Sequence, residues 1–326
     1  MSRRRQKRNQ ENYWSNQPGL FDVASPEEDA DSFLLPMDDA ILKKEERLRF
    51  ISFGSGSSGN CAYIGTPSCG VLIDAGVDNH YVLEQLEQNS IDLETIRGIL
   101  LTHDHGDHVR YAYSILRRHQ HMRLYATPKV LNGILRRHNT SRRIKDYHTP
   151  IFKEFPIQMG ALTVTPFETS HDGTDNAGFF IEGAGTTFVI TTDTGTITSR
   201  ADFYMRQAEY LMIESNYDAA MLRNGSYPQH LKARIASTIG HLDNADTARY
   251  LAAIAPAGKL RRVFLCHLSQ DNNTPEVALR TITDELTAAG VAVNSGRENL
   301  NDNSLRLHVL PRMEASYLFV LNPSEK

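Results

Sequence analysis

The chain has 326 residues, of which 40% are hydrophobic, and a formal net charge of −4 at pH 7. These values allow one large α/β domain with a substantial core and exclude a globally basic protein. No apolar run approaches the length of a membrane span, and no secretory leader is recognisable near the start. Three scattered cysteines are too few for a disulfide framework. We therefore expect a cytoplasmic protein that does not enter a membrane.

Residues 1–46 are predicted to form a mobile tail, and residues 47–326 the folded domain. The tail begins basic, continues acidic and has little apolar periodicity. From Leu48 onward, short β-branched and apolar runs alternate with helical spacing. The predicted strands lie at 49–53, 62–65, 71–73, 96–101, 123–126, 152–155, 162–167, 177–181, 187–192, 263–266, 305–310 and 317–321. The predicted helices lie at 81–89, 107–119, 128–138, 231–238, 247–255 and 275–289.

This order of elements predicts the fold class. Strands and helices occur in two successive blocks, so we expect two packed sheets with helices outside them. A Gly/Ser-rich segment at residues 54–60 joins the first two strands. It can cradle a phosphate with its backbone N–H groups, or it can be a hairpin connection.

Basic residues are concentrated in one part of the chain. Between Val109 and Lys145 there is no acidic residue. Such a stretch predicts a positive surface that attracts phosphates, although solvated helix faces would give the same pattern. The basic residues of the stretch are Arg110, Arg117, Arg118, Arg123, Lys129, Arg136, Arg137, Arg142, Arg143 and Lys145.

The strongest chemical signal is the sequence THDHGDH at residues 102–108, directly after an apolar strand. Side chains two apart in an extended chain point the same way, so His103 and His105 can meet one ion. The chain then turns through Gly106, which places Asp107 and His108 across the same pocket. Imidazole nitrogen suits zinc, iron, nickel or copper, and a carboxylate oxygen also admits manganese. A solvent-exposed His-rich loop is the structural alternative.

This segment matches the His-x-His-x-Asp-His signature, and the chain resembles the metallo-β-lactamase superfamily. The resemblance implies an αββα sandwich of two mixed β-sheets flanked by helices. It also implies two divalent metal ions, zinc or manganese. By that resemblance, His171 looks like the third ligand of the first metal, Asp193 like the bridging carboxylate and His267 like the last ligand of the second metal.

Further residues take roles from the same resemblance. Asp74 looks like a carboxylate that orients the ligand loop, although a turn or capping role is an alternative. Asp107 is assigned to catalysis as well as to metal binding. Glu214 and His241 are similar to the Glu and His that ribonuclease Z-type enzymes place beside their metals, where the pair would protonate a leaving alkoxide. A surface carboxylate and a loop histidine are the alternatives.

A closer similarity covers residues 49 to about 278. The sequence FGSGSSGN at 53–60 resembles the opening of the YycJ-type (WalJ) proteins, and so do ESNYD at 214–218 and GHLDN at 240–244. This subfamily implies a 5′-to-3′ exonuclease acting on DNA rather than RNA. As candidate substrate contacts we assign Ser57, Asn60, Asn216 and Lys232. The oligomeric state is not predicted.

Several related activities remain alternatives. Ribonuclease Z-like RNA processing and small phosphodiester hydrolysis would use the same groups. Thiolester hydrolysis would normally bring an extra helical domain, and a β-lactamase an export signal. A β-CASP nuclease would need a large insertion between Asp193 and His267, for which there are too few positions. A non-catalytic scaffold would be expected to have lost ligands.

Overall fold

The computed structural model of the protein describes residues 46–295 and 304–321. The predicted tail, residues 1–46, therefore lies outside the described residues except for Glu46. The boundary between this tail and the folded domain stays a prediction.

The described strands are β1 Leu48–Gly56, β2 Gly59–Thr66, β3 Cys69–Ile73, β4 Ile96–Leu100, β5 Arg123–Ala126, β6 His148–Pro150, β7 Ile157–Met159, β8 Leu162–Glu168, β9 Ala177–Gly183, β10 Thr186–Thr191, β11 Tyr210–Glu214, β12 Arg262–Cys266, β13 Val293–Asn294, β14 Leu305–Val309 and β15 Phe319–Leu321.

These strands form two mixed sheets. The first sheet has the order β15-β1-β2-β3-β4-β5-β6, in which the pairs from β3 to β6 are parallel. The second has the order β13-β14-β12-β11-β10-β9-β8-β7. Its pairs from β7 to β10 are antiparallel and the remaining pairs are parallel. Two mixed sheets are what the sequence predicted.

Helices cover the outer faces of the sheets. Several begin at a side-chain cap; in the helix Pro128–Arg137, for example, Thr127 Oγ1 accepts a hydrogen bond from Val130 N, and Pro128 occupies the first turn. The helices are α1 Asn79–Gln88, α2 Gly106–Val109, α3 Ala112–Arg118, α4 Pro128–Arg137, α5 Ser199–Met205, α6 Ala219–Asn224, α7 Gln229–Ile235, α8 Asn244–Ile254 and α9 Pro275–Ala288. Short 3-10 helices lie at Leu93–Thr95, Arg142–Tyr147 and Ala255–Ala257.

Three layers of apolar side chains hold the sandwich together. Because neighbouring residues of a strand face opposite sides, each central strand supplies two layers. Between the sheets, the Phe50 ring lies 4.8 Å from the rings of Phe188 and of Phe264. Outside the first sheet, α1, α3 and α4 add Val82, Leu86, Ile115, Leu116, Val130 and Ile134. Outside the second, α5, α8 and α9 add Ala201, Met205, Ala248, Leu251, Ile282 and Leu286. The predicted αββα sandwich is confirmed.

The predicted helix over 107–119 is interrupted. It consists of α2 and α3, and the break falls at Tyr111. Tyr111 N donates to Ala75 O at 2.8 Å instead of continuing the helical ladder. The bond ties the ligand loop to the end of β3, a tertiary contact that local periodicity does not record.

The prediction of a strand at 152–155 is wrong. Phe155 N donates to Phe152 O in a turn, and Glu154 has a φ of 69°. Tertiary contacts hold this conformation, because Arg200 Nε donates to Glu154 Oε1 at 3.0 Å and Tyr204 Oη to Oε2 at 2.8 Å. Phe152 and Phe155 are 55% and 67% exposed, so their apolar pattern does not mark a core strand.

Two structural findings bear on the predicted cytoplasmic location. No helix in the described part of the chain combines the length and apolarity needed to cross a membrane. The cysteines, Cys61, Cys69 and Cys266, are buried and unpaired. The cytoplasmic location stays a prediction.

Candidate metal centre

Among the described residues, three buried non-glycine residues at strand ends have left-handed backbone conformations. Asp74, Asp193 and His267 follow β3, β10 and β12 with φ values of 60°, 49° and 55°. Such residues cost free energy and persist only where the surrounding fold holds them in place. All three are buried. These three left-handed residues therefore mark one edge of the sandwich as a candidate site.

The loop between β4 and α2 carries the predicted ligands of residues 102–108. His103 is buried immediately beyond the strand, His105 is the residue before α2, and Asp107 and His108 lie within that helix. Potential ligand atoms of His103, His105 and His171 lie within 4.8 Å of one another, and so do those of Asp107, His108 and His267. The structure thus brings the predicted residues together in the two predicted groups.

Asp193 lies between these two groups. Its Oδ2 is 3.3 Å from His108 Nε2, and its Oδ1 is 3.5 Å from His267 Nε2 and 3.8 Å from His171 Nε2. Thr192 Oγ1 donates a hydrogen bond to Oδ2 at 2.8 Å. The carboxylate therefore lies within reach of both groups, because Oδ1 faces His171 of the first group and His267 of the second.

The outer nitrogens of the histidines are held by the protein. His108 Nδ1 lies 2.7 Å from Asp74 Oδ2, and His171 Nδ1 lies 2.8 Å from Gly240 O. Thr102 Oγ1 donates to Asp74 Oδ2 and lies 2.9 Å from His103 Nδ1. These acceptors place the ring protons on Nδ1 and leave Nε2 facing the cluster.

Glu214 contacts two histidines from the end of β11. Its Oε1 is 2.6 Å from His241 Nδ1 and 3.1 Å from His267 Nδ1, and its Oε2 accepts from Thr194 N at 2.7 Å. Burial opposes ionisation of Glu214, but the histidine charges and hydrogen bonds outweigh burial and lower its pKa. The predicted Glu–His pair is thus formed, and the same carboxylate also orients His267.

The carboxylates of the cluster stabilise positive charge on the neighbouring histidine rings. Burial lowers the pKa of His267, but the carboxylates of Asp193, Asp107 and Glu214 outweigh it and raise the pKa to about 10. Burial is likewise outweighed at His108, where Asp74, Asp193 and Asp107 raise the pKa well above its usual range. In the absence of other cations the carboxylates retain protons on these rings. Metal ions would displace those protons and supply the charge instead.

Unpartnered nitrogen atoms test whether metal ions fit. Among the described residues, His103 Nε2 and His267 Nε2 are buried and have no hydrogen-bond partner. Buried polar atoms almost always have a partner. Both atoms belong to the clustered ligand groups, and imidazole with carboxylate is a donor set suited to divalent ions. The residues therefore fit divalent metals.

The predicted substrate contacts lie in different surroundings. Ser57 is exposed at the turn between β1 and β2, which run through most of the Gly/Ser segment as a hairpin. Asn60 is buried, and its Nδ2 donates to Gly56 O and to Asp107 Oδ2. Asn216 is also buried, and its Nδ2 donates to His267 O at 2.7 Å. Lys232 Nζ donates to the carbonyl oxygens of residues 223 and 225. Both amides therefore support candidate ligands.

Sequence analysis missed Asp172. Its Oδ1 lies 3.3 Å from His105 Nε2 and 3.5 Å from His171 Nε2, and it is buried without a hydrogen-bond partner among the described residues. Arg234 Nε donates to its Oδ2 at 2.6 Å. The signal available in the sequence was a carboxylate adjacent to His171.

Comparison with known proteins agrees with this geometry. A family model described as the beta-lactamase superfamily domain matches residues 70–268. An exodeoxyribonuclease YycJ of Bacillus anthracis is 31% identical over 252 residues, covering 77% of this chain and 94% of that protein. An exodeoxyribonuclease WalJ of Streptococcus pneumoniae is 32% identical over 247 residues, covering 75% of this chain and 90% of the relative.

Solved structures share the fold at low identity. The metallo-beta-lactamase fold protein YhfI of Bacillus subtilis superposes with a TM-score of 0.58 at 14% identity, covering 84% of this chain and 99% of that one. Zinc-bound PqqB of Methylobacterium extorquens has a TM-score of 0.57 at 16% identity, with coverages of 84% and 100%. At these identities the similarity shows the fold alone.

Proposed function

The chain belongs to the beta-lactamase superfamily domain family, and from this premise we propose that it is a metal-dependent exodeoxyribonuclease that degrades DNA from the 5′ end. One observation carries the proposal. Histidines from separate strand ends converge on Asp193 at 3.3 to 3.8 Å, and buried ring nitrogens among them lack partners within the described part of the chain. The YycJ and WalJ relatives, both named exodeoxyribonucleases, support DNA as the substrate.

We assign two divalent ions, zinc or manganese, to the cluster. His103, His105 and His171 would hold one, Asp107, His108 and His267 the other, and Asp193 would contact both. Two ions held in this way supply an activated water near neutral pH and neutralise charge that develops on the phosphoryl group.

His241 is assigned as the proton donor. Its Nδ1 lies 2.6 Å from the buried carboxylate of Glu214, which holds the ring in a fixed orientation. No described residue makes a hydrogen bond to the other ring nitrogen, Nε2, so a proton held there is available to a departing alkoxide. The ring centroid of His241 lies 4.9 Å from that of His171 and 5.2 Å from that of His267, beside both ligand groups.

The remaining contacts fix the orientation of the candidate metal ligands. Asp74 and Thr102 hold the Nδ1 atoms of His108 and His103, and Asn60 holds Asp107 Oδ2. We assign residues 47–326 as the hydrolase domain on which these groups are built.

The test is incubation of metal-reconstituted protein with labelled substrates. Single-stranded DNA labelled at the 3′ end should shorten progressively, while the same DNA labelled at the 5′ end should release labelled mononucleotide at once. Duplex DNA, a precursor tRNA, a thiolester and a chromogenic phosphodiester complete the panel. Cleavage confined to the precursor tRNA would replace DNA by RNA as the substrate. Cleavage confined to the thiolester would refute a phosphodiesterase.

A further inference from the structure

A cationic cavity lies at the end of α4, the helix whose last residues contact the ligand loop. Its volume is about 320 Å³, and it lies between the last turns of α4 and the 3-10 helix Arg142–Tyr147. The lining contains three cations and no acidic residue. It is made by Asn132, Leu135, Arg136, Arg142 and Lys145. All three cationic side chains are on exposed residues, so the cavity is open to a ligand from solution.

The charges of this cavity are not neutralised. Within the described ranges, no carboxylate lies within 4.0 Å of the charged groups of Arg136, Arg142 or Lys145. The nearest acids in sequence have other partners. Asp146 pairs with Arg143 at 3.7 Å, and Asp104 lies 3.6 Å from Arg137. Three like charges around one cavity repel each other, and an anion between them would remove that repulsion.

Helix stabilisation explains only part of this arrangement. Cations in the last turn of a helix interact favourably with its C-terminal carbonyl groups. That accounts for Arg136 and Arg137 in α4. Lys145 lies in the last turn of the 3-10 helix Arg142–Tyr147, where the same effect applies, but Arg142 is the first residue of that helix and gains nothing from it.

The cavity is joined to the metal centre through α4. His138 Nε2 lies 2.6 Å from Asp104 O, and Arg137 Nη1 lies 3.6 Å from Asp104 Oδ2. Asp104 separates His103 from His105 in the ligand loop. Arg136 belongs to the same helix end that contacts Asp104, so the cavity is built on a segment that also supports the ligand loop.

We propose that this cavity binds a backbone phosphate of the DNA strand that is being degraded, away from the phosphodiester at the metal centre. The inference rests on the proposed function. Arg136 and Arg142 can each offer paired N–H donors to phosphate oxygens, Lys145 adds a point charge and Asn132 an amide donor. The contacts reach only the backbone, so binding is independent of base sequence.

The test compares charge-matched double variants. Arg142→Ala with Lys145→Ala removes two cavity cations that do not belong to α4. Lys259→Ala with Arg280→Ala removes two exposed cations that do not line the cavity. Binding of a cleavage-resistant phosphorothioate oligothymidylate to the metal-loaded protein is measured by fluorescence anisotropy over a salt series. Hydrolysis of the chromogenic phosphodiester and the thermal midpoint are measured alongside.

The cavity variant should raise the Kd roughly tenfold and reduce the slope of log Kd against log salt by about 0.7 for each phosphate that is no longer neutralised. Addition of Arg136→Ala to the cavity variant should weaken DNA binding further. Arg136→Lys in place of Arg136→Ala should restore most of the affinity that this third substitution removes. The control variant, the chromogenic activity and the thermal midpoint should stay at wild-type values.

Equal binding by the cavity and control variants would refute the cavity as a phosphate site, while leaving the nuclease proposal intact. If the wild-type protein neither binds nor degrades DNA, the proposed function fails and the cavity assignment fails with it. A change in chromogenic activity in the cavity variant would show that the cations act on the metal centre instead, and would also refute the inference.

Discussion

Asp74 Oδ2 lies 2.7 Å from His108 Nδ1, and both side chains are buried. A carboxylate in this position fixes the ring proton on Nδ1 and turns Nε2 toward Asp193, 3.3 Å away. Asp74 follows β3 directly and has a left-handed backbone, with a φ of 60°. The relationship links strand geometry to ligand orientation.

Asp74→Asn should lower metal affinity by about 10- to 100-fold, because the amide is a weaker acceptor for the ring proton of His108. Competition with a chromophoric chelator measures the affinity. Asp78→Asn is the control, since Asp78 caps α1 from an exposed position and touches no candidate ligand. Equal affinities for the two variants would contradict the orienting role.

Asp193→Ala should remove metal and turnover together, because both ligand groups lose their shared oxygen ligand. Elemental analysis after gel filtration gives the metal content, and release of nucleotides gives the rate. Alanine introduces no steric overlap at this buried position, and circular dichroism checks that the variant is folded. Full metal occupancy in this variant would refute Asp193 as the bridge.

His241→Ala should lower kcat on DNA by about 10²- to 10⁴-fold while metal content stays unchanged. The chromogenic phosphodiester is the internal control, because its phenolate leaves without protonation. Its hydrolysis should therefore fall far less than that of DNA. Loss of metal, or equal losses on both substrates, would contradict the role of proton donor.

Gly76→Ala should disrupt the ligand loop through a steric clash. A Cβ at Gly76 would lie 1.5 Å from Asp107 O, a backbone atom that can move only with the loop. We expect a lower thermal midpoint and loss of metal. At Gly56 the nearest atom to a new Cβ is the flexible Arg312 side chain at 3.4 Å, so Gly56→Ala should retain both properties. Normal metal content in Gly76→Ala would show that the loop can shift.

His308 should make stability depend on pH. Burial, followed by the charges of Arg262 and Arg306, lowers its pKa to about 4. The unfolded chain protonates this ring near pH 6.5 and the folded chain near pH 4, so stability falls as the pH decreases between these values. The loss is at most about 3 kcal/mol. His308→Phe should show a smaller loss in urea unfolding compared at about pH 6.5 and about pH 4.5. An unchanged difference between the two pH values would assign the effect to other groups.

Much of the centre could be predicted because its strongest signal is local. The spacing of His103, His105 and His108 after an apolar strand requires no tertiary information. His171 and His267 are different, since nothing local separates them from ordinary polar residues, and only the family resemblance singled them out. The structure brings them within reach of Asp193 because β8, β10 and β12 belong to one sheet.

The errors come from contacts between distant parts of the chain. The turn at 152–155 depends on Arg200, which is far away in sequence, and the break at Tyr111 depends on Ala75. The assignment of Asn60 and Asn216 as candidate substrate contacts stays a prediction. Their burial and their partners Asp107 and His267 could not be deduced from composition or spacing.

The position of β14 has a consequence for biosynthesis. β12, which precedes His267, is flanked by β11 and β14, but β14 begins only at Leu305, after every candidate ligand has been translated. The edge of β1 is likewise completed by β15. A chain emerging from the ribosome therefore carries all of its ligands before either sheet is complete. We therefore expect the candidate ligands to reach their final positions only after β14 and β15 have been synthesised.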